Sequence, residues 1–294
     1  MRNPIFTGVC TALVTPFLNG RINYPMAEQL LRRQINGGVQ AVVLAGTTGE
    51  SPTLSDDEKI ELFRRGKEYV KETCLIIAGT GTNSTEHAVA LSIAAEDAGA
   101  DALLVVTPYY NKTTPDGLVA HYMAIAHAVS LPIILYNVPS RTGVDIPISV
   151  YQRLSRIPNI IGVKEASNDI TKIARIKLAC GNDFFVWTGN DDQIVPAMAN
   201  GGSGVISVLS NIFPDKTVSI CDAALNGDFE TAAILHRNQL PLIDLLFCEV
   251  NPIPVKAAMR CIGFDCGTCR LPLVGLTKEN TLKIEKYFLE QALF

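Results

Sequence analysis

The sequence lacks the features of a disordered, membrane-spanning or nucleic-acid-binding protein. Charged residues make up 18% of the 294 positions against 48% hydrophobic ones, and no low-complexity tract occurs, which excludes a disordered chain. No apolar run reaches the length of a membrane span, and no apolar stretch with a cleavage site opens the chain. The missing span and cleavable segment lead us to expect a cytoplasmic protein. The net charge is −4, without a run of basic and aromatic residues, so we expect no nucleic-acid partner.

Patterns for metal binding are also scarce. The pair Cys266 and Cys269, with Cys261 nearby, has no second cysteine pair or neighbouring histidine, so it is weak evidence for zinc. We expect reduced thiols at the cysteines and no metal ion. Structural or surface roles are expected for the histidines, which are scattered over helical stretches: His87, His121, His127 and His236.

Short apolar runs with strand character recur along the chain, each followed by a helical pattern. Runs without interleaved polar residues are typical of parallel strands buried on both faces. The eight runs are 8–15, 41–46, 75–79, 102–107, 133–136, 160–164, 184–188 and 204–208. Eight βα units predict an α/β fold, a closed (β/α)8 TIM barrel. A doubly wound open sheet is the alternative, but residues 16–20 follow the first strand without a glycine-rich dinucleotide fingerprint.

The strand signals stop after a helix predicted from Pro214 toward Gly227. Residues 228–294 show helical patterns only, interrupted at 251–254 and in a 263–275 loop. We therefore predict a catalytic barrel domain over residues 1–227 and a C-terminal helical domain over residues 228–294. The helical extension shows no obvious chemistry, so we expect it to pack against the barrel or to contact another subunit.

Residues 160–166 form a buried strand pattern that ends on a lysine. In a barrel, the carboxyl ends of the strands open into the active site, so Lys164 would lie among apolar walls that disfavour its ammonium form. A desolvated amine is a nucleophile and forms a Schiff base with a keto acid. The alternative is a lysine that merely ends the strand at the surface.

Other predicted strand ends carry residues that suit the same chemistry. The segment 46–51, Gly-Thr-Thr-Gly-Glu-Ser, has small residues and hydroxyls that bind a carboxylate or pass a proton, although a tight polar turn is the alternative. Tyr109 and Tyr110 follow the fourth strand and suit packing, an interface or catalysis. Tyr136 ends the fifth strand, and Arg141 follows in a turn-rich loop. A phenol relays protons during carbinolamine formation, and a guanidinium binds a carboxylate bidentately.

The seventh and eighth strands would close the pocket. Gly189 and the strand that contains Ile206 are expected to form its floor and walls. Asp191 and Asp192 are interpreted as a helix N-terminus rather than as metal ligands, because acidic side chains complement the helix dipole there.

Four segments resemble those of the dihydrodipicolinate synthase family, in the superfamily of lysine-type class I aldolases and lyases. These segments are 46–51, 107–112, 136–143 and 162–167, and the resemblance runs nearly end to end. Lys164 and Tyr136 are typical of the superfamily. Arg141 and the two threonines before Gly49 indicate a synthase, since a sialic-acid lyase normally lacks that arginine.

This resemblance implies a Schiff-base mechanism without any other cofactor. Lys164 would condense with pyruvate, and the resulting enamine would attack the aldehyde of L-aspartate 4-semialdehyde, as the first committed step of lysine and diaminopimelate biosynthesis. Tyr136, Thr48 and Tyr110 would form a proton relay, with Tyr110 reaching in from a neighbouring subunit. The resemblance also implies a homotetramer that is a dimer of dimers, although the sequence leaves dimer and tetramer open.

Substrate contacts follow from the same resemblance. Arg141 would hold the carboxylate of the semialdehyde, and Thr47 with Thr48 would bind the carboxylate of pyruvate. Gly189 and Ile206 would line the pocket. An imine withdraws electrons from the adjacent carbon, so the protein need supply only orientation, a proton path and anion binding.

The resemblance also implies a second, regulatory site, of which only some residues match. Lysine-inhibited relatives place histidines and a glutamate in a site at the dimer interface, with which Ser51, Asn83 and Tyr109 are compatible. The matching positions of the histidines and the glutamate are here Asp56, Lys59 and His87. A Lys59 ammonium would repel the amine of bound lysine, so we predict weak or absent feedback inhibition.

Two alternative functions stay open at this point. One is another pyruvate-dependent aldolase, such as N-acetylneuraminate lyase or a keto-deoxy-sugar-acid aldolase, which would share Lys164 and Tyr136. The other is a catalytically silent relative kept as a regulatory or binding subunit, although every position of the relay is occupied. A metal-dependent barrel lyase would need histidines and carboxylates clustered at strand ends, and the sequence shows none.

Overall fold

The computed structural model describes residues 3–291 and has a closed parallel barrel at its centre. The strands are β1 (Gly8–Ala12), β2 (Phe17–Leu18), β3 (Arg21–Ile22), β4 (Ala41–Leu44), β5 (Leu75–Gly79), β6 (Ala102–Val106), β7 (Ile133–Asn137), β8 (Ile160–Glu165), β9 (Phe185–Thr188) and β10 (Gly204–Ser207). Within the described residues, β1 and β4 to β10 form the barrel in the order β1-β10-β9-β8-β7-β6-β5-β4. The predicted (β/α)8 barrel is therefore confirmed.

Helices follow the barrel strands and continue beyond the last one. They are α1 (Tyr24–Asn36), α2 (Asp56–Val70), α3 (Thr85–Asp97), α4 (Pro115–Ala128), α5 (Pro139–Thr142), α6 (Ile148–Leu154), α7 (Ile170–Cys180), α8 (Ile194–Ala199), α9 (Pro214–Leu225), α10 (Phe229–Arg237), α11 (Leu240–Leu246), α12 (Ile253–Cys261) and α13 (Lys278–Glu290). No helix in this part of the chain is long and apolar enough to cross a membrane.

Local signals account for where several of these elements begin and end. Ser55 and Glu58 form the capping box of α2, since each side chain bonds the other's backbone N–H.

The short antiparallel pair β2–β3 was not predicted. Its turn is formed by Asn19 and Gly20, whose φ angles of 53° and 76° suit a tight hairpin between adjacent strands.

The apolar core has an inner and an outer part. The inner cluster fills the barrel and includes Trp187, on which Phe6 stacks with ring centroids 4.8 Å apart. The outer cluster lies between the strands and the helices. Strand residues pointing either way are therefore buried, which explains why the strand runs lack alternating polar residues.

The C-terminal helices share the outer core with the barrel. Ala232 of α10, Leu242 of α11 and Phe288 of α13 belong to the same cluster as barrel residues such as Val205. The division between residues 227 and 228 stays a prediction. Its outer limits include residues 1–2 and 292–294, which lie outside the described residues.

Candidate active site

Lys164 and Tyr136 lie side by side at the carboxyl ends of neighbouring strands. They are paired in register between β8 and β7, so both side chains point into the barrel. The Lys164 Nζ lies 4.4 Å from the centroid of the Tyr136 ring, a cation–π distance. Both residues are buried, with exposed fractions of 5% and 7%. Lys164 therefore does not end its strand at the surface, and a phenol stands beside its amine.

Gly189 packs against the Lys164 side chain, and Ile206 belongs to the inner cluster of the barrel. The backbone N–H of Gly189 donates to the carbonyl of Glu165 at 2.7 Å, which holds the turn after β9 against β8. A Cβ atom at Gly189 would lie 2.8 Å from the Cε of Lys164, so a larger residue would displace the lysine side chain. Ile206 is fully buried in the inner cluster with Tyr136.

A cavity of about 970 Å³ opens at this end of the barrel. The predicted site residues that line it are Thr47, Ser51, Asn83, Tyr109, Tyr110, Tyr136 and Arg141. Lys164 adjoins the cavity through its contact with Tyr136, and Thr48 follows Thr47 along the chain. The structure thus brings together residues from the ends of β4, β6, β7 and β8, which are far apart in sequence.

Thr48 and Arg141 share a partner that the sequence analysis missed. The Nδ2 of Asn251 donates to the Oγ1 of buried Thr48 at 2.9 Å, and the backbone oxygen of Asn251 accepts from Arg141 Nη2 at 3.2 Å. Asn251 stands between α11 and α12, where residues 251–254 were interpreted only as a helix break. The polar asparagine before an apolar, proline-rich segment was the available signal.

Tyr110 differs from the other predicted relay residues. Within one chain it stands at the cavity rim with 90% of its surface exposed, and its φ angle is 70°. A tyrosine ring is seldom left so exposed on a monomer surface, because it carries a large apolar area. Its position suits a contact made outside its own chain.

The positions of the implied regulatory site also line this cavity, and they form an ion-paired group. One carboxylate oxygen of Asp56 lies 3.5 Å from Lys59 Nζ, and the other lies 2.7 Å from His87 Nε2. Partial burial opposes ionisation of Asp56, but the hydrogen bond and charge of His87, with those of Lys59, outweigh it and lower the pKa of the carboxyl. Tyr109 and Ser51 line the same cavity, so the ion-paired group and Tyr136 share one space.

Behind Lys164, a buried polar network fixes the ends of β7 and β8. Glu165 accepts hydrogen bonds from Asn137 Nδ2 at 2.9 Å, from the hydroxyl of Tyr151 at 2.9 Å and from the N–H of Ser167 at 2.9 Å. Burial, with the neighbouring Glu165 charge, raises the pKa of Tyr151 well above its ordinary value. This network was not predicted, because its members look unremarkable until the strands are paired.

Asp191 lies at the start of a helical turn, as predicted, and also has partners that were not predicted. It begins a 3₁₀ turn, Asp191–Gln193, but its buried carboxylate accepts the backbone N–H groups of Val208 and Leu209 at 2.9 and 2.8 Å. Burial raises its pKa although these bonds oppose the rise. His236 bonds the Asp191 carbonyl through Nε2 at 2.7 Å. The aspartate therefore also ties the turns after β9 and β10 together.

The C-terminal extension is closer to the site than its sequence indicated. The Nζ of Lys256, in α12, lies 2.6 Å from the buried carboxylate of Glu50, as an ion contact rather than an aligned hydrogen bond. The backbone N–H of Arg270 donates to the same carboxylate at 2.8 Å.

The cysteines are free, and within residues 3–291 no group of three His, Cys, Asp or Glu side chains could hold a metal ion.

Comparison with known proteins gives one consistent result. The model of the dihydrodipicolinate synthetase family matches residues 5–291. A protein of Acetivibrio thermocellus named 4-hydroxy-tetrahydrodipicolinate synthase is 46% identical over 280 residues, 95% of this chain and 95% of its own. One of Caldicellulosiruptor saccharolyticus with the same name is 47% identical over 98% of this chain and 97% of its own. The crystal structure of dihydrodipicolinate synthase from Thermotoga maritima, 43% identical, covers 99% of this chain and 100% of its own with a TM-score of 0.96.

Proposed function

The chain belongs to the dihydrodipicolinate synthetase family, and we propose that it performs the family's reaction through a Schiff base on Lys164. It is a lyase that condenses pyruvate with L-aspartate 4-semialdehyde, the first committed step of lysine and diaminopimelate biosynthesis. The observation that carries the assignment of Lys164 is its buried amine at the carboxyl end of β8, beside the Tyr136 ring and next to the cavity.

The amine would attack the keto carbon of pyruvate, and water would leave to give the imine. Tyr136 would carry protons to and from the carbinolamine oxygen, because its ring lies against the Lys164 amine. The imine would draw electrons from the methyl group, which loses a proton and becomes the nucleophilic carbon of an enamine. That carbon attacks the aldehyde, and cyclisation releases Lys164. We propose that no cofactor other than this covalent imine is needed.

Binding of the two acids would be divided between two walls of the cavity. The hydroxyls and backbone of Thr47 and Thr48 would receive the pyruvate carboxylate near Lys164. Arg141 is exposed at the cavity wall and would receive the carboxylate of the semialdehyde, since a guanidinium binds carboxylates with paired hydrogen bonds. An aldolase for a neutral sugar chain would have no use for a cation at that wall, so Arg141 favours the semialdehyde.

The first experiment is borohydride reduction in the presence of pyruvate, followed by intact-mass measurement and peptide mapping. We expect one adduct, on Lys164, and rapid turnover when aspartate semialdehyde is supplied as the acceptor. The buried lysines Lys172 and Lys256 serve as internal controls that stay unmodified. Lys164→Arg keeps the charge without a primary amine, so it should give no adduct. An adduct without turnover would indicate another pyruvate-dependent aldolase, and no adduct would contradict the mechanism.

We also propose that the working enzyme is a homotetramer, a dimer of dimers, in the cytoplasm. The exposed Tyr110 supports the association of subunits, because its hydroxyl would complete the relay of Tyr136 and Thr48 in a neighbouring subunit. A mixture of Tyr110→Phe and Lys164→Arg subunits tests the idea. Each variant alone should be nearly inactive, but a mixed dimer contains one site with Lys164 from one subunit and Tyr110 from the other. Activity that fails to return after unfolding and refolding the two together would contradict it, provided that sedimentation shows mixed oligomers.

A further inference from the structure

Lys112 is a cation at the cavity wall that has no polar partner within its own chain. It lies in the loop between β6 and α4, two residues after Tyr110, and it lines the cavity together with Arg141. The residue is exposed, and within residues 3–291 its ammonium makes no hydrogen bond or ion pair. The ammonium is therefore available to a group that enters the cavity.

The backbone holds Lys112 in a conformation that lysine seldom adopts. Its φ angle is 49°, in the left-handed region that is unfavourable for a residue with a side chain. A Cβ atom at Gly143 would lie 3.0 Å from the Cε of Lys112 and 3.6 Å from its Nζ. The lysine side chain thus lies over Gly143, the residue that ends α5, two positions after Arg141. The loops after β6 and β7 each bring one cation to the same wall.

The charges around the cavity are mainly positive, although the whole chain has a net charge of −4. Besides His87, the charged side chains that line it are Asp56, Lys59, Lys112 and Arg141. Asp56 is paired with Lys59 and His87, whereas Arg141 donates to a backbone carbonyl. Within the described residues, no carboxylate of the cavity lining balances Lys112 and Arg141. A wall of this kind attracts an anion.

Two cations suit a single carboxylate. A guanidinium fork takes one hydrogen-bonding position on each carboxylate oxygen and leaves the others open. An ammonium is a compact charge with three donors, so it fills an open position from the side. The carboxylate of pyruvate is proposed to lie with Thr47 and Thr48, near Lys164. The acid left for the wall of Lys112 and Arg141 is therefore the semialdehyde.

We propose that Lys112 is a second binding residue for the carboxylate of the semialdehyde, beside Arg141, and that it selects acceptor aldehydes that carry a carboxylate. This deepens the proposed function and rests on it. Imine formation takes place on Lys164, so it does not depend on Lys112. Loss of the ammonium weakens binding of the acceptor and leaves the reaction with pyruvate unchanged.

The test uses Lys112→Gln, which removes the charge, and Lys112→Arg, which keeps it. We expect KM for aspartate semialdehyde to rise about threefold to tenfold in Lys112→Gln, with kcat within about twofold of the wild type. Lys112→Arg should recover most of the loss. Lys71→Gln is the matched control: Lys71 is also exposed and has a φ angle of 51°, but it ends α2 and does not line the cavity.

Two further measurements separate carboxylate binding from other roles of Lys112. The KM for pyruvate and the rate of borohydride trapping on Lys164 should keep their wild-type values in Lys112→Gln. As competing aldehydes, succinate semialdehyde should lose affinity by the same factor as the substrate, whereas propanal, which has no carboxylate, should not.

Three results would overturn the proposal. One is an unchanged KM for aspartate semialdehyde in Lys112→Gln. Another is an equal rise in the KM for pyruvate that disappears at high salt, which indicates general attraction of anions only. The third is dissociation of the subunits in sedimentation that accounts for the loss. Absence of turnover in the wild type would instead overturn the proposed function.

Discussion

Gly189 leaves the space that the Lys164 side chain occupies. A methyl group at this position would lie 2.8 Å from both Lys164 Cε and Ala166 Cβ, closer than side-chain carbons approach each other. The backbone there needs no left-handed conformation, so the restriction comes from crowding alone. A substitution at this position would therefore displace Lys164, Ala166 or both.

Gly189→Ala should displace the Lys164 amine and slow imine formation with pyruvate by about tenfold to a hundredfold, since small misplacements of reacting groups are costly. The rate is followed by borohydride trapping at successive times. Gly275→Ala is a matched control, because a Cβ atom there meets nothing within 4 Å. An unchanged trapping rate in Gly189→Ala would show that the lysine side chain moves aside without loss.

His121 makes the stability of the protein depend on pH. Burial lowers its pKa from the ordinary 6.5 to about 4, and its Nδ1 lies 2.9 Å from the Thr85 hydroxyl. Between those values the unfolded chain binds the proton more readily than the folded chain does. The stabilisation is therefore complete above pH 6.5 and is lost as the pH falls toward 4.

We expect the free energy of unfolding of the wild type to fall by about 2 kcal/mol more than that of His121→Gln between pH 7.5 and pH 5. Denaturant titrations of both proteins at one fixed protein concentration give this difference. His127→Gln, in the same helix and exposed, should keep the wild-type pH dependence. Parallel curves for the wild type and His121→Gln would show that the histidine is not responsible.

At the scale of elements, helices α2 and α3 bring charged groups to the outer part of the cavity. Lys59 comes from α2 and His87 from α3, and Asp56 bridges them. Asp56 partly neutralises the Lys59 ammonium. Its carboxylate is already paired with that ammonium and with the His87 imidazole. A lysine ligand entering between these helices would meet a cation and would find the nearby carboxylate already paired.

We predict that sub-millimolar lysine inhibits this enzyme weakly or not at all. Lys59→Gln should increase the inhibition, because it removes the repelling ammonium and frees Asp56 to receive the ligand's amine. Initial rates against lysine concentration measure the effect, and Lys278→Gln, exposed at the start of α13, is the control. Strong inhibition of the wild type at sub-millimolar lysine would contradict the prediction.

At the scale of the whole molecule, a buried ion contact joins the barrel to the C-terminal extension. Glu50 and Lys256 have side chains that are 0% and 4% exposed, and Lys256 Nζ also lies 4.3 Å from the centroid of Phe17. A buried charge that loses its partner is strongly unfavourable, whereas a pair replaced together by neutral groups is not. The stability of the whole chain therefore depends on keeping both charges or neither.

Lys256→Met should lower the free energy of unfolding by about 3 to 5 kcal/mol, since it leaves Glu50 buried and uncompensated. Adding Glu50→Gln to that variant should restore part of the loss. Denaturant unfolding of the wild type, Lys256→Met, Glu50→Gln and the double variant measures this, and Lys283→Met, in the exposed pair with Glu279, should unfold close to the wild type. If the double variant loses as much as the two single losses together, the charges are not coupled.

Sequence patterns predicted the elements well because those patterns are local. Apolar runs predicted the number and order of the barrel strands, and the run that ends on Lys164 led to the hypothesis of a reactive amine there. Ser55 and Glu58 marked the start of α2 through neighbouring backbone groups. The family resemblance added roles for Tyr136, Thr48 and Arg141 that spacing alone left open.

The amino-acid sequence by itself determined the barrel class and the family, and it supplied most of the residues proposed for the candidate site. Only the tertiary structure decided that Asn251 bonds Thr48, that Glu50 meets Lys256 and that Asp191 holds the turn after β10. These partners are polar residues whose local sequence fits a loop, a turn or a helix equally well. These residues meet only when the barrel closes and the extension docks. Both steps bury the amide and the carboxylates, and a buried polar group without a partner is strongly unfavourable.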